Sequence, residues 1–176
     1  MPIAKFSRPL RDCMKIYLFL LIQLFSLSIF AKDLSNTDIK VYRNPQCQCC
    51  HKWISHLEKK QFNVLDMLTP NMASVKQAVH LPKKMSSCHT AIVEGYIIEG
   101  HVPAADIRRL LVERPDIVGL AVPKMPVGTP GMEMGERKQN FNVFQFTKEG
   151  QYSIFNSYQL DENNDYQQHF HLSKEQ

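Results

Sequence analysis

The sequence predicts an α/β domain, a sheet with helices on both faces. Three observations predict it. Period-two runs alternate with helical-spacing runs over residues 39–79. Two further strand signals flank Glu94-Gly95, a hairpin signature. A third helical stripe follows at residues 104–113.

In order, Ile39-Lys40-Val41-Tyr42-Arg43 alternates and reads as a strand, and Asn44-Pro45 turns the chain. A helix starts near Cys50, with Trp53, Ile54 and Leu57 at helical spacing and Glu58, Lys59 and Lys60 outside. Phe62 to Leu68 is a second strand. Thr69-Pro70-Asn71 opens a second helix, with Val75 and Val79 inward and Pro82 beyond its end. Thr90–Val93 and Tyr96–Ile98 form the hairpin. Pro103 opens the third helix, Ala104 to Glu113, whose stripe is Ile107, Leu110 and Leu111. A βαβ unit followed by a β-hairpin and a helix is a thioredoxin-like topology.

After Pro115 the character changes. Asp116 to Gly135 holds three prolines, four glycines and three methionines with little periodicity, and reads as a long ordered Pro/Gly/Met loop. Asn142–Phe146 and Tyr152–Phe155 flank Lys148-Glu149-Gly150-Gln151, a C-terminal β-hairpin. From residue 159 to 176 the chain is polar and reads as a flexible tail, His169 and His171 included.

The N-terminus carries an export signal. Lys5, Arg8, Arg11 and Lys15 precede an apolar run from Ile16 to Phe30, and Ala31 stands at the expected cut. The run falls short of the ~20 residues that span a bilayer. Residues 1–31 are therefore expected to be a cleaved signal peptide, taking Cys13 with them; 32–38 are a polar leader, and 39–158 the domain. Cleavage removes four basic residues and one acidic one, which takes the net charge from +4 to +1. Nothing then argues for nucleic acid or an anionic membrane as partner. Export leads to an oxidising space that permits disulfides.

The chemistry rests on cysteines. Cys47, Cys49 and Cys50 lie in Asn44-Pro45-Gln46-Cys47-Gln48-Cys49-Cys50-His51, between the first strand and the first helix. Backbone N–H groups at a helix start favour the thiolate, which is the metal-binding species. Strand order places Ser87-Cys88-His89-Thr90 beside them, so four sulfurs are expected to converge. Such a set suits tetrahedral zinc or Cu(I). Vicinal Cys49 and Cys50 cannot easily turn to one ion, and suit bridging between several Cu(I) ions. Met125, Met132 and Met134 offer soft thioethers if the loop covers the cysteine end; methionines also simply fill cores. His51 and His89 each follow a cysteine and are candidate ligands or hydrogen-bonding neighbours. His101, before Val102-Pro103, reads as structural.

Two other readings stay open. Cys47 and Cys50 have the redox spacing of a thiol–disulfide oxidoreductase, although Cys49 inside the motif would form wrong mixed disulfides. A zinc-stabilised interaction module is the third. No nucleophile triad or cofactor fingerprint is apparent, so a metal-binding role is favoured over an enzymatic one.

From Val41 to about Tyr158 the chain resembles the periplasmic copper-resistance proteins of the CopG type. The residues that carry the likeness are Val41-Tyr42, Cys47-Gln48-Cys49-Cys50, Ser87-Cys88-His89-Thr90, Glu99-Gly100-His101-Val102-Pro103-Ala104, Gly119-Leu120-Ala121-Val122-Pro123 and Gly128-Thr129-Pro130-Gly131-Met132-Glu133. The resemblance implies a thioredoxin-like fold that binds copper through Cys47, Cys49, Cys50 and Cys88, as a polynuclear cluster, in copper resistance and homeostasis. Other periplasmic copper-handling proteins are the implied partners.

Overall fold

The computed structural model describes residues 36–170. The expected signal peptide, most of the leader and the last six residues lie outside the described residues. Eight strands form one mixed sheet: β1 (Thr37–Arg43), β2 (Phe62–Leu68), β3 (His89–Val93), β4 (Tyr96–Glu99), β5 (Gly119–Ala121), β6 (Phe141–Phe146), β7 (Tyr152–Leu160) and β8 (Tyr166–Phe170). Their order across the sheet is β2-β1-β3-β4-β5-β6-β7-β8. The β1–β2 and β4–β5 pairs are parallel and the others antiparallel. Three α-helices accompany it among the described residues: α1 (Gln48–Lys59), α2 (Met72–Ala78) and α3 (Ala104–Glu113).

The alternating side chains of the strands sort two cores. Ile39, Val41, Ala91, Val93, Ile98 and Leu120 face α1 and α3, which bring Trp53, Ile54 and Leu57, and Ile107, Leu110 and Leu111. The neighbouring residues along β4 and β5, Ile97 and Ala121, point the other way and pack with Met85, Phe146, and Val79 and Leu81 just after α2. Helices on both faces are thus observed. No described helix is long and apolar enough to cross a membrane.

The sheet is larger than expected, and two strands account for it. Within the expected long loop, residues 119–121 pair with β4 as β5. Three residues are too few to show a period, although all three are buried. The expected tail is also corrected: residues 159 and 160 end β7, and Tyr166–Phe170 pair with it as β8. The misreading came from composition, since β8 is polar and mostly exposed. Its anchor is Tyr166, whose ring meets Phe141 and Tyr158 edge-on at 5.4 and 5.9 Å, while those two stack at 4.4 Å. The leader also ends earlier than expected, because Thr37 and Asp38 already pair with β2.

One histidine ties α1 to α3. His56 Nε2 accepts the Ala104 N–H at 3.2 Å and so must carry a lone pair. Burial, then the Lys60 and Lys59 charges, lower its proton affinity below the ordinary imidazole value. An unfolded histidine takes up its proton near pH 6.5, whereas the folded one resists. Stability therefore falls as pH drops through about 6.5 towards the folded value. In His56→Gln, the amide oxygen can accept the same N–H and cannot titrate. Urea unfolding between pH 7 and pH 5 is expected to show a shallower loss of stability in that variant. An unchanged slope would remove His56 as a source of the acid sensitivity.

Candidate metal centre

The local sequence shapes the cysteine end. Asn44 accepts the Gln46 N–H through its side chain at 2.9 Å and the Cys47 N–H through its carbonyl at 3.0 Å. This turn delivers Cys47 to the cap of α1 in extended backbone, with its sulfur 3.3 Å from the Cys50 N–H. Cys49 and Cys50 thereby enter the first helical turn. Positions three apart share a helix face, and Cys47 and Cys50 are joined by a disulfide across 5.3 Å between Cα atoms. The expectation of four thiolates is corrected here: Cys49 and Cys88 are the free thiols of the described residues.

The convergence itself is present. The sulfurs of Cys47, Cys49, Cys50 and Cys88 lie within 4.8 Å of one another. Cys49 Sγ is 3.5 Å from Cys47 Sγ. Cys88 also belongs to a second group, with His89 and His101, in which its sulfur lies 3.2 Å from His89 Nδ1 and 3.2 Å from His101 Nε2. Burial, and then the neighbouring Cys49 sulfur, push the Cys88 thiol up to about 12. A helix start does not act on Cys88, and burial favours its protonated form. A soft cation must displace the proton.

His101, read from sequence as structural, is the residue that reasoning missed. It is fully buried, and its Nδ1 lies 2.7 Å from the Pro130 carbonyl. A carbonyl only accepts, so Nδ1 carries the proton and Nε2 turns a lone pair to Cys88. A ring held through its far N–H by a carbonyl is how ligating histidines are commonly oriented. The signal that could have found it is its place in Glu99-Gly100-His101, opposite Ser87-Cys88-His89 across the β3–β4 hairpin. His89 is fully buried against Trp53, with ring centroids at 4.3 Å, and its proton affinity is lowered by burial and then by His101 and Lys76. Trp53 in turn donates to the Val102 carbonyl at 2.9 Å, which links α1 to the His101 segment.

Behind the site stands Glu99. Its buried carboxylate accepts the Ser87 N–H and the Thr90 hydroxyl, each at 2.6 Å, and pairs with Lys76 of α2. Both flanks of Cys88-His89 are thus held by one side chain. Gly100 allows the close approach: a Cβ there would lie 2.5 Å from Ser87 Oγ and 2.5 Å from the Val122 carbonyl.

The Pro/Gly/Met loop does reach the site. Gly131 (φ +84°) rests on the first turn of α1, where a Cβ would lie 2.6 Å from the Trp53 nitrogen and 2.9 Å from the Cys49 oxygen. Of the methionines, Met132 beside it is partly buried, whereas Met125 and Met134 are each 48% exposed. His51 is exposed on α1 and joins neither donor group. The hairpin of β7 and β8 holds residues 136–139, the segment that follows the loop. The Tyr166 hydroxyl donates to the Gln139 carbonyl at 2.9 Å, Lys138 Nζ to the Asn164 carbonyl at 2.6 Å, and the Asn164 side chain to the Glu136 carbonyl at 2.8 Å.

The comparisons with known proteins bear on this centre. The solved structure named "Copper resistance protein copG", form 2, is 46% identical, with a TM-score of 0.68, and the match covers 71% of this chain and all of that one. Form 1 is 48% identical, with a TM-score of 0.67, over 70% of this chain and 98% of that one. The chain belongs to the CopG family of copper resistance proteins. The family model described as "Protein of unknown function, DUF411" matches residues 85–132, which contain Cys88, His89, His101 and the loop through Met132. No curated protein matches the chain.

Gly131→Ala tests the loop contact. A left-handed alanine alone costs about 1–2 kcal/mol, which Gly135→Ala, at φ +64° with open space around it, isolates. Gly131→Ala is expected to lose a further ~1–3 kcal/mol through overpacking against α1 in urea unfolding. Equal losses in the two variants would show that the loop does not press on the helix.

Proposed function

We propose that this CopG-family chain is an exported, periplasmic copper-binding protein that holds Cu(I) as a polynuclear cluster on Cys47, Cys49, Cys50 and Cys88, and so serves copper resistance. The observation that carries the reading is the meeting of four sulfurs from two distant stretches of chain within 4.8 Å. Soft thiolates select Cu(I), and a monovalent ion suits a pocket whose titratable neighbours are pushed towards their neutral forms. The likeness to solved proteins named for copper resistance supports copper over zinc. The arrangement of residues 37–113, with β1 between parallel β2 and antiparallel β3, supports a thioredoxin-like core extended by β5 to β8. Full capacity needs the Cys47–Cys50 bond reduced. In this reading His101 Nε2 adds a nitrogen donor beside Cys88, and partly buried Met132, next to Gly131, adds a thioether.

One observation favours a second reading. The Cys47–Cys50 disulfide sits at a helix start, as in thiol–disulfide oxidoreductases. The two readings separate in vitro. Reduced protein loaded with Cu(I) without oxygen should keep more than one ion per chain through buffer exchange, and Cys88→Ser should lose at least half of it. Metal-free protein should not accelerate reduction of a test disulfide. Copper washed out of the wild type, together with fast disulfide reduction, would reverse the assignment. Met132→Leu keeps the volume and removes the thioether; a competition assay with a chromogenic Cu(I) chelator is expected to give weaker retention. Equal retention would dismiss the loop sulfur.

A further inference from the structure

We infer that the chain forms a homodimer by antiparallel pairing of β2 with β2 of a second copy. This goes beyond the copper reading and uses none of the cysteines or histidines. β2 is the first strand of the sheet, so one of its sides meets no other strand. The Asn36 N–H reaches the Gln61 carbonyl at 2.8 Å, and the Thr69 N–H reaches the Arg43 carbonyl at 3.0 Å. The odd-numbered residues of β2 therefore bond inward to β1, and Phe62, Val64, Asp66 and Leu68 turn their N–H and C=O groups outward. Edge strands are normally blunted by lysine, proline or shortness. β2 runs for seven residues with neither lysine nor proline, and its one charge, Asp66, is held by Arg43 through hydrogen bonds of 2.9 and 2.7 Å. Leu65 is 55% and Leu68 57% exposed. The opposite edge, β8, is shorter and carries Gln167, Gln168 and His169 at its centre.

A second copy is the occupant because the strand complements itself. With Leu65 on a two-fold axis, Phe62 pairs with Leu68 of the second copy and Val64 pairs with its Asp66, and the reverse. All four outward residues then exchange hydrogen bonds. Leu65 meets its own copy at a non-hydrogen-bonded position, where Cα atoms lie ~4.5 Å apart and side chains are closest. The charges agree with this register. Arg108 of α3 lies over the Phe62 ring at 4.7 Å, and the second copy's Asp66 stands diagonal to Phe62 on the same face of the sheet. A shift of two residues in one direction would set Asp66 against Asp66; in the other it would leave Leu68 beyond the end of the strand. Pairing β2 with β2 closes at two copies, whereas β2 on β8 would propagate into a filament. The two eight-stranded sheets become one. Because β1 runs parallel to β2, the two cysteine ends point in opposite directions and neither covers the other.

The test is sedimentation velocity of the mature protein in a phosphine reductant and a metal chelator, which is expected to show a mass that doubles with rising concentration. Leu65→Lys sets like charges face to face on the axis and should weaken dimerisation at least tenfold, with the circular dichroism unchanged. Leu65→Cys under mild glutathione oxidation should cross-link two copies through position 65, identified by peptide mass. Asn63→Cys, which faces Met67 of the second copy, should not link to itself. If Leu65→Lys does not fold, the cross-link carries the test. A protein that stays monomeric at every concentration overturns the inference. So does a dimer unweakened in folded Leu65→Lys, or cross-linking in Leu65→Cys no faster than in Asn63→Cys. Each of these outcomes leaves the copper reading untouched.

Discussion

The site depends on one carboxylate placed on the far side of the sheet. Glu99 is fully buried and accepts from the Ser87 backbone, the Thr90 hydroxyl and Lys76. Burial raises its proton affinity, whereas the lysine and the hydrogen bonds act against that rise. A buried charge of this kind is tolerated only with such partners, and removing one of them is costly. The return is positional. The peptide carrying Cys88 and His89 is held at both ends and cannot drift from α1, so a thiol from β3 meets thiols from the β1–α1 junction. Lys76 lies on α2, which packs on the opposite face from α1. The short second helix therefore bears on the candidate metal centre through Glu99 without touching it.

Much of this architecture could be read in the sequence, because long elements with strong periodicity declare themselves. α3 was legible to the residue, since Pro103 marks its start and Ile107, Leu110 and Leu111 recur at helical spacing. β2 was equally plain. The misses share a cause. β5 is too short to show a period, and β8 is held by backbone pairing and one tyrosine, not by an apolar face. At the site, the four cysteines were legible from motif and strand order. Their bonding state was not, because Cys47 and Cys50 stand at a spacing that serves both metal and disulfide. The role of His101 was hidden because its meaning lies in a carbonyl 29 residues downstream.

The electrostatics of the centre correct a common expectation about cysteine motifs. The thiol that matters most here is not activated by its surroundings; burial holds Cys88 in its protonated form. His89 and His101 are likewise held neutral by burial. Burial thus favours the uncharged forms of Cys88, His89 and His101 together.

The hairpin of β7 and β8 carries a consequence for how the protein responds to proteolytic cutting. Tyr166, Asn164 and Lys138 brace the segment that follows the loop bearing the carbonyl that orients His101. A nick in the exposed Asp161–Asp165 turn would leave the main core intact and every cysteine in place. The brace would nevertheless be cut, and the imidazole would lose its fixed bearing. A cut there would loosen the donor nitrogen well before the chain unfolds, with the Asp161–Asp165 turn as the fuse.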